Sequence, residues 1–111
     1  EKLNYNYFSV SENDELCGYF AIQDDGSERL FLSKLYLRSD KRGRGIASKM
    51  LKKVFSEAMR LNKKAVYLTV NKNNERAVSV YKKVGFCVVD SSVTDIGNGF
   101  FMDDYVMQYK L

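Results

Sequence analysis

The chain has 111 residues with 18 basic and 14 acidic side chains, giving a formal net charge of +4. That length argues for one domain, and 45% apolar with 14% aromatic residues excludes wholesale disorder. The absence of histidine excludes a histidine base, a Ser-His-Asp triad and any zinc site that needs imidazole, and no apolar run approaches the ~18 residues of a membrane span.

Cys17 and Cys87 lack the spacing of a disulfide framework or a metal site. Both read as small core residues of a protein kept in a reducing, cytoplasmic compartment. No charged-then-apolar leader follows Glu1, so no signal peptide is expected.

Residues 5–10 alternate and are rich in aromatics, which predicts a strand; Asn13-Asp14 is a turn signal, and residues 16–23 read as a second strand. Asp24-Asp25-Gly26-Ser27 has hairpin-turn composition, and residues 30–37 give a third strand. Three strands with such short connections predict an antiparallel meander.

The apolar period then changes. Ile46, Ala47, Met50, Leu51, Val54, Ala58 and Leu61 recur at helical steps, with Lys49, Lys52, Lys53, Glu57 and Arg60 on the other side. This amphipathic helix ends at Asn62-Lys63-Lys64, and residues 65–70 (AVYLTV) read as a buried strand. Strand, helix and apolar strand make a crossover that sets the third and fourth strands parallel. A second helix follows, with Asn74 as N-cap, Gly85 as C-cap, and Ala77, Val78, Val80, Tyr81 and Val84 facing inward. Residues 86–93 and 100–109 are two last strands around a loop holding Gly97-Asn98-Gly99.

Two segments carry chemistry. Lys41-Arg42-Gly43-Arg44-Gly45-Ile46-Ala47 joins the third strand to the long helix. Its glycines admit a ligand close to the backbone, and the following helix N-terminus offers unpaired N–H groups and partial positive charge. That is a phosphate cradle, though neither a P-loop nor a GxGxxG turn. The wider basic run, from Lys41 through Lys64, fits a phosphorylated ligand, nucleic acid or plain solvent.

The second segment is Asn74 to Phe86, and here the sequence resembles the GNAT superfamily of N-acetyltransferases. Arg42-x-x-Gly45-x-Ala47 is similar to the family's coenzyme A motif, and Asn74-x-x-Ala77-x-x-x-Tyr81-x-x-x-Gly85-Phe86 to its second motif. Leu35-Tyr36-Leu37 matches the strand before the cradle. The resemblance spans about residues 5–111 and implies an α+β fold, a mixed, mostly antiparallel sheet with two helices. The family's usual opening strand and two helices have no counterpart, so residues 1–111 read as one acetyltransferase-like domain, the C-terminal three-quarters of a full one.

The resemblance implies acetyl transfer from acetyl-CoA to a small-molecule or peptide amine by direct attack. Leu35 and Leu37 would pair with the pantetheine arm through their backbones. Amides of Arg42, Gly43, Arg44, Gly45, Ile46 and Ala47 would bind the pyrophosphate, Asn74 would hydrogen-bond the pantetheine, and Tyr81 would protonate the leaving thiolate. Tyrosine is the only proton donor of the second motif suited to that task. No metal, nucleic acid or membrane is expected as a partner, and a homodimer is compatible with the sequence.

Plainer readings stand beside these. Tyr81 also suits core packing, Asn74 a simple cap, and Arg42 and Arg44 solvated charges. Asp103-Asp104 reads either as an attractor of a cationic acceptor or as a solubilising edge pair. The family's frequent strand glutamate is missing from Leu30-Phe31-Leu32-Ser33-Lys34, with Glu28 nearest. A catalytically inactive coenzyme A-binding module and a basic nucleic-acid-binding domain are the alternatives; the second lacks a recognisable set of aromatic platforms.

Overall fold

The computed structural model describes residues 5–42 and 45–111. Its elements follow in the expected order: β1 (Tyr5–Glu12), β2 (Glu15–Gln23), β3 (Arg29–Leu37), a 3-10 turn (Ser39–Lys41), α1 (Ile46–Arg60), β4 (Ala65–Asn71), α2 (Glu75–Val84), β5 (Cys87–Gly97) and β6 (Phe100–Lys110). The described strands form one sheet in the order β1-β2-β3-β4-β6-β5. β1, β2 and β3 make the antiparallel meander, β3 and β4 run parallel, and β6 lies antiparallel between β4 and β5. The mixed, mostly antiparallel expectation holds.

Both helices bury their apolar stripes against one face of the sheet. Met50, Leu51, Val54 and Ala58 of α1 meet Phe20, Ile22, Leu30, Leu32, Val66 and Leu68 in one core. Each of the larger side chains among them stabilises the fold by about 1.5–3 kcal/mol over leaving it exposed. Phe55, absent from the expected core set, stacks on Tyr109 of β6 at 4.0 Å and lies 5.9 Å from Phe86, which fixes α1 against the end of α2. α1 stops where Asn62 turns to a positive φ of 59° and Lys63 N–H bonds back to the carbonyl of Ala58 at 2.9 Å.

Three expectations are corrected. Cys87 is exposed while Cys17 is buried, because Cys87 opens β5 at the sheet edge. The loop expected before residue 100 is instead strand: β5 runs to Gly97, and only Asn98 and Gly99, both at positive φ, turn the chain. A two-residue turn of that kind continues strand twist, so pairing reaches the tip. Phe86 precedes β5 and is buried. Third, the sheet face away from the helices carries Tyr7, Tyr19 and Tyr36 exposed, with Phe31 stacked on Tyr67. Alternate strand positions of separate segments converge there, which linear spacing did not reveal.

Candidate functional site

β3 and β4 pair only through Arg29↔Ala65, Leu30↔Val66 and Phe31↔Tyr67. Immediately beyond, β3 shifts register against β2: Leu32 faces Ile22, whereas Lys34 faces Ala21, leaving Ser33 extra. Such a bulge bends its strand and raises local twist. β3 therefore swings away from β4, which stays paired with β6 through Asn71. From Leu32 onward β3 has no β4 partner among the described residues, and a slot opens between the strands.

The slot encloses about 260 Å³ and is lined by Leu35, Tyr36, Leu37, Arg42, Ala47, Asn74, Arg76, Ala77, Val80 and Tyr81. Six of the ten residues singled out from the sequence converge here: Leu35, Leu37, Arg42, Ala47, Asn74 and Tyr81. Gly45 and Ile46 stand at the adjoining start of α1 and line a neighbouring groove. Gly43 and Arg44 lie outside the described residues.

Gly45 sits at the N-cap of α1 with φ 74°, a left-handed conformation that other residues adopt at a cost. A Cβ built on it would meet no described atom within 4 Å, so its approach is open among the described residues. Among the described residues no side chain caps α1, and its first turn has no acidic residue. The first N–H groups of the helix are thus left for a ligand, and they favour an anion. Ile46 sends its side chain into the core, which leaves its backbone at the start of the helix.

Tyr81 is half-buried, with its ring edge-on to Phe86 at 5.5 Å and an interplanar angle of 62°. Burial pushes its hydroxyl pKa above the usual tyrosine value, so the phenol keeps its proton. Among the described residues no hydrogen-bond partner takes that hydroxyl, though it lines the slot. Asn74 does cap α2: its Oδ1 accepts the Ala77 N–H at 3.2 Å. Its side-chain NH2 group is left as a donor on the slot.

The basic run divides. Lys41 is buried beside Glu15 at 3.6 Å, so this lysine of the sequence cluster packs away from any ligand. Lys53 and Arg60 both pair with Glu57 at 3.7 and 2.9 Å, and Lys64 with Glu28 at 3.2 Å. Glu28, the nearest carboxylate by sequence, is therefore an exposed ion-pair partner next to the paired end of β3 and β4. Asp103 holds Lys72 at 2.7 Å. Tyr36, Arg76, Ala77 and Val80 were not foreseen as lining residues. Ala77 and Val80 share the inward stripe with Tyr81, and the same periodicity that signals core signals a wall.

The family model described as "Acetyltransferase (GNAT) family" matches residues 1–86. An uncharacterised N-acetyltransferase of Mycobacterium tuberculosis is 32% identical over 103 residues, covering 93% of this chain and 65% of that protein. The chain thus spans 65% of the length of that relative. A peptidyl-lysine N-acetyltransferase of Escherichia coli is 32% identical over 95 residues, covering 85% of this chain and 58% of its own. Among solved structures, Naa50 of Arabidopsis thaliana, in complex with a bisubstrate analogue of coenzyme A and a peptide, superposes with a TM-score of 0.77 and 31% identity. That match covers 89% of this chain and 68% of Naa50. With the parted parallel strands, the helix start beside them and residues of both motifs lining one slot, these matches place the chain in the GNAT acetyltransferase family.

Proposed function

We propose that the protein is an N-acetyltransferase that moves an acetyl group from acetyl-CoA to a primary amine. One observation carries the reading: the slot between β3 and β4 ends on the uncapped N-terminus of α1 and holds the unpartnered hydroxyl of Tyr81. An extended amide chain fits beside β3, where unpaired backbone groups accept an added strand. A diphosphate fits the first turn of α1, with Arg42 beside it. The residues present therefore suit coenzyme A.

Acetyl-CoA supplies an activated thioester. Leu35 and Leu37 hold the arm by backbone pairing, the Asn74 amide donates to it, and the helix N-terminus fixes the diphosphate. An amine nitrogen bonds to the acetyl carbon as the carbon–sulfur bond breaks, and Tyr81 gives its proton to the departing thiolate. The slot lining contains no carboxylate. The acceptor thus reacts as the free amine, and its extra proton goes to solvent. The peptidyl-lysine named for the Escherichia coli relative supports a peptide amine as acceptor class.

Nucleic acid is not part of this reading. The basic side chains of α1 and the aromatic platform lie on opposite faces of the sheet, whereas single-strand binders combine both in one groove. No described helix is long and apolar enough to cross a membrane. The exposed free thiol of Cys87 supports a reducing, cytoplasmic setting. The exposed β5–β6 hairpin supports a second copy of the chain as partner.

The test is coenzyme A release, followed with a thiol reagent, on offering acetyl-CoA with lysine peptides, amino-terminal peptides and polyamines. Amine-dependent release is expected. Tight acetyl-CoA binding with release at the background rate for every amine would favour the inactive binding module instead.

A further inference from the structure

The structure splits the sequence pair Asp103-Asp104 between the two faces of the sheet. Along β6, Met107 and Tyr105 face the helices and the core, so Asp103 shares their side. There it binds Lys72, whose ammonium lies 5.3 Å from the Tyr105 ring. Asp104 takes the opposite, open face, where it is half-buried and has no ion-pair partner among the described residues. Its register partner is Asn71, the last residue of β4. β4 is one lip of the slot, so Asp104 stands about 5 Å, one strand spacing, from that lip. The other lip presents Tyr36, which lines the slot and meets Tyr19 with ring centroids 5.5 Å apart. Two basic side chains of this face are turned elsewhere. Arg29 donates to Gln108 at 3.0 Å, and Lys34 lies 5.9 Å over the Tyr7 ring of β1.

We infer that the acceptor carries a second positive charge besides its reacting amine, held at the open-face mouth of the slot by Asp104 and the ring of Tyr36. The inference rests on the proposed acetyl transfer. The coenzyme enters from the side of α1 and α2, where its diphosphate answers the charges of Arg42 and Arg76. The acceptor is left the other face. There a carboxylate on one lip and an aromatic face on the other both attract a cation. The attacking nitrogen must be neutral, so this attraction acts on a separate charge. Tyr81 follows Asn74 by seven residues of α2, which sets the reaction roughly 10 Å along the slot from the level of Asp104. A long polyamine, or a basic side chain near the reacting amine of a peptide, supplies a charge at that reach.

Initial rates at saturating acetyl-CoA test this with four acceptors: pentylamine, spermidine, and two lysine peptides that differ by arginine or serine near the lysine. The dicationic member of a pair should show a kcat/KM about fivefold higher at low salt, with the preference fading as salt rises. Asp104→Asn should lower that ratio about three- to fivefold, through KM for the dication, and Asp104→Glu should retain it. Comparing wild type with variant cancels any difference in amine basicity. Asp95→Asn, at the hairpin tip, should leave the ratio unchanged. A preference within the simple amines alone makes the second charge that of a polyamine; one within the peptides alone makes it that of a basic peptide. An unchanged ratio in Asp104→Asn, or an equal loss in Asp95→Asn, overturns the assignment. Should no amine release coenzyme A, the transfer reading itself falls and takes the acceptor assignment with it.

Discussion

Phe31 and Tyr67 face each other across the last paired rung of β3 and β4, their rings stacked with centroids 4.9 Å apart. The Arg29 guanidinium also lies over the Tyr67 ring, 4.0 Å from its centroid. The stack clamps the strands at the point where they part, so it sets where the slot begins. Phe31→Ala removes a stacked pair and part of its buried area, and is expected to cost about 1–2 kcal/mol. Urea denaturation measures this; an unchanged midpoint would show that the bulge alone fixes the fork.

Gly45 has two separable duties, its left-handed backbone and its open approach. Gly45→Ala and Gly45→Leu share the backbone strain, roughly 1–2 kcal/mol for a non-glycine residue there. They differ in bulk. Coenzyme A affinity should fall modestly in the alanine variant and by more than about tenfold in the leucine variant, with similar melting temperatures. Equal affinities in the two variants would mean that the ligand does not approach the helix at this point.

Tyr81→Phe keeps the ring against Phe86 and removes only a hydroxyl that bonds to no described residue, so stability should hold. Turnover is expected to drop about 100-fold, the low end for a general acid, because a thiolate leaves moderately well unaided. The pH dependence has two limbs. Rate climbs with pH as the acceptor amine loses its proton, near ~10.4 for lysine. It declines only as Tyr81 ionises, above the usual value near ~10, since burial raises its pKa. The phenylalanine variant should lack the declining limb. A variant turning over at the wild-type rate would leave Tyr81 as core alone.

Much of this site was legible because its parts are local in sequence. The Gly45 start of α1 and the Asn74 cap are each short segments whose glycine, asparagine and helical spacing carry their own geometry. The crossover likewise follows from strand, helix and strand in series. What stayed hidden depends on residues far apart. The extra Ser33 is visible only against its partners Ala21 and Ile22, the fate of Lys41 only against Glu15, and the neighbouring groove only once Phe55 and Tyr109 meet. The long β5–β6 hairpin was missed because Gly97-Asn98-Gly99 reads equally as a loop or a tight turn.

Asp24 anchors the β2–β3 turn to the end of α1 by accepting from the buried Lys63 ammonium, which also donates to the Ser27 carbonyl at 2.7 Å. The Lys63 contact is the largest cause holding the Asp24 pKa below its usual value. Its stabilisation is therefore complete above the unfolded carboxyl pKa, near ~3.9, and is lost as pH falls through the lower folded value. Asp24→Asn should cost about 0.5–1 kcal/mol at neutral pH, because the Lys63 charge loses its counterion while solvent screens the exposed Asp24 side. Thermal melts at pH 7 and pH 3 check both statements: the gap between wild type and variant should narrow in acid.

The β5–β6 hairpin carries its side chains outward at the tip. Val93, Ile96, Phe100 and Phe101 are 64%, 58%, 67% and 60% exposed. Among the described residues β5 is also an edge strand of the sheet, eleven residues long, and the Asp90 and Asp95 side chains take up only its Ser91 and Gly97 N–H groups. Natural edges of that length are normally blunted by charge, yet residues 91–97 contain only Asp95. A two-fold arrangement that sets β5 antiparallel to β5 of a second copy would pair the remaining outer groups of the strand and cover the apolar tip in one step. Light scattering after size exclusion should therefore give a mass that rises toward the dimer with concentration. Val93→Lys places a charge within the proposed seam and should hold the protein monomeric, with coenzyme A affinity unchanged because the slot lies beside β3 and β4. A wild-type protein that stays monomeric at high concentration, with the same elution as the lysine variant, would remove the second copy as the hairpin's partner.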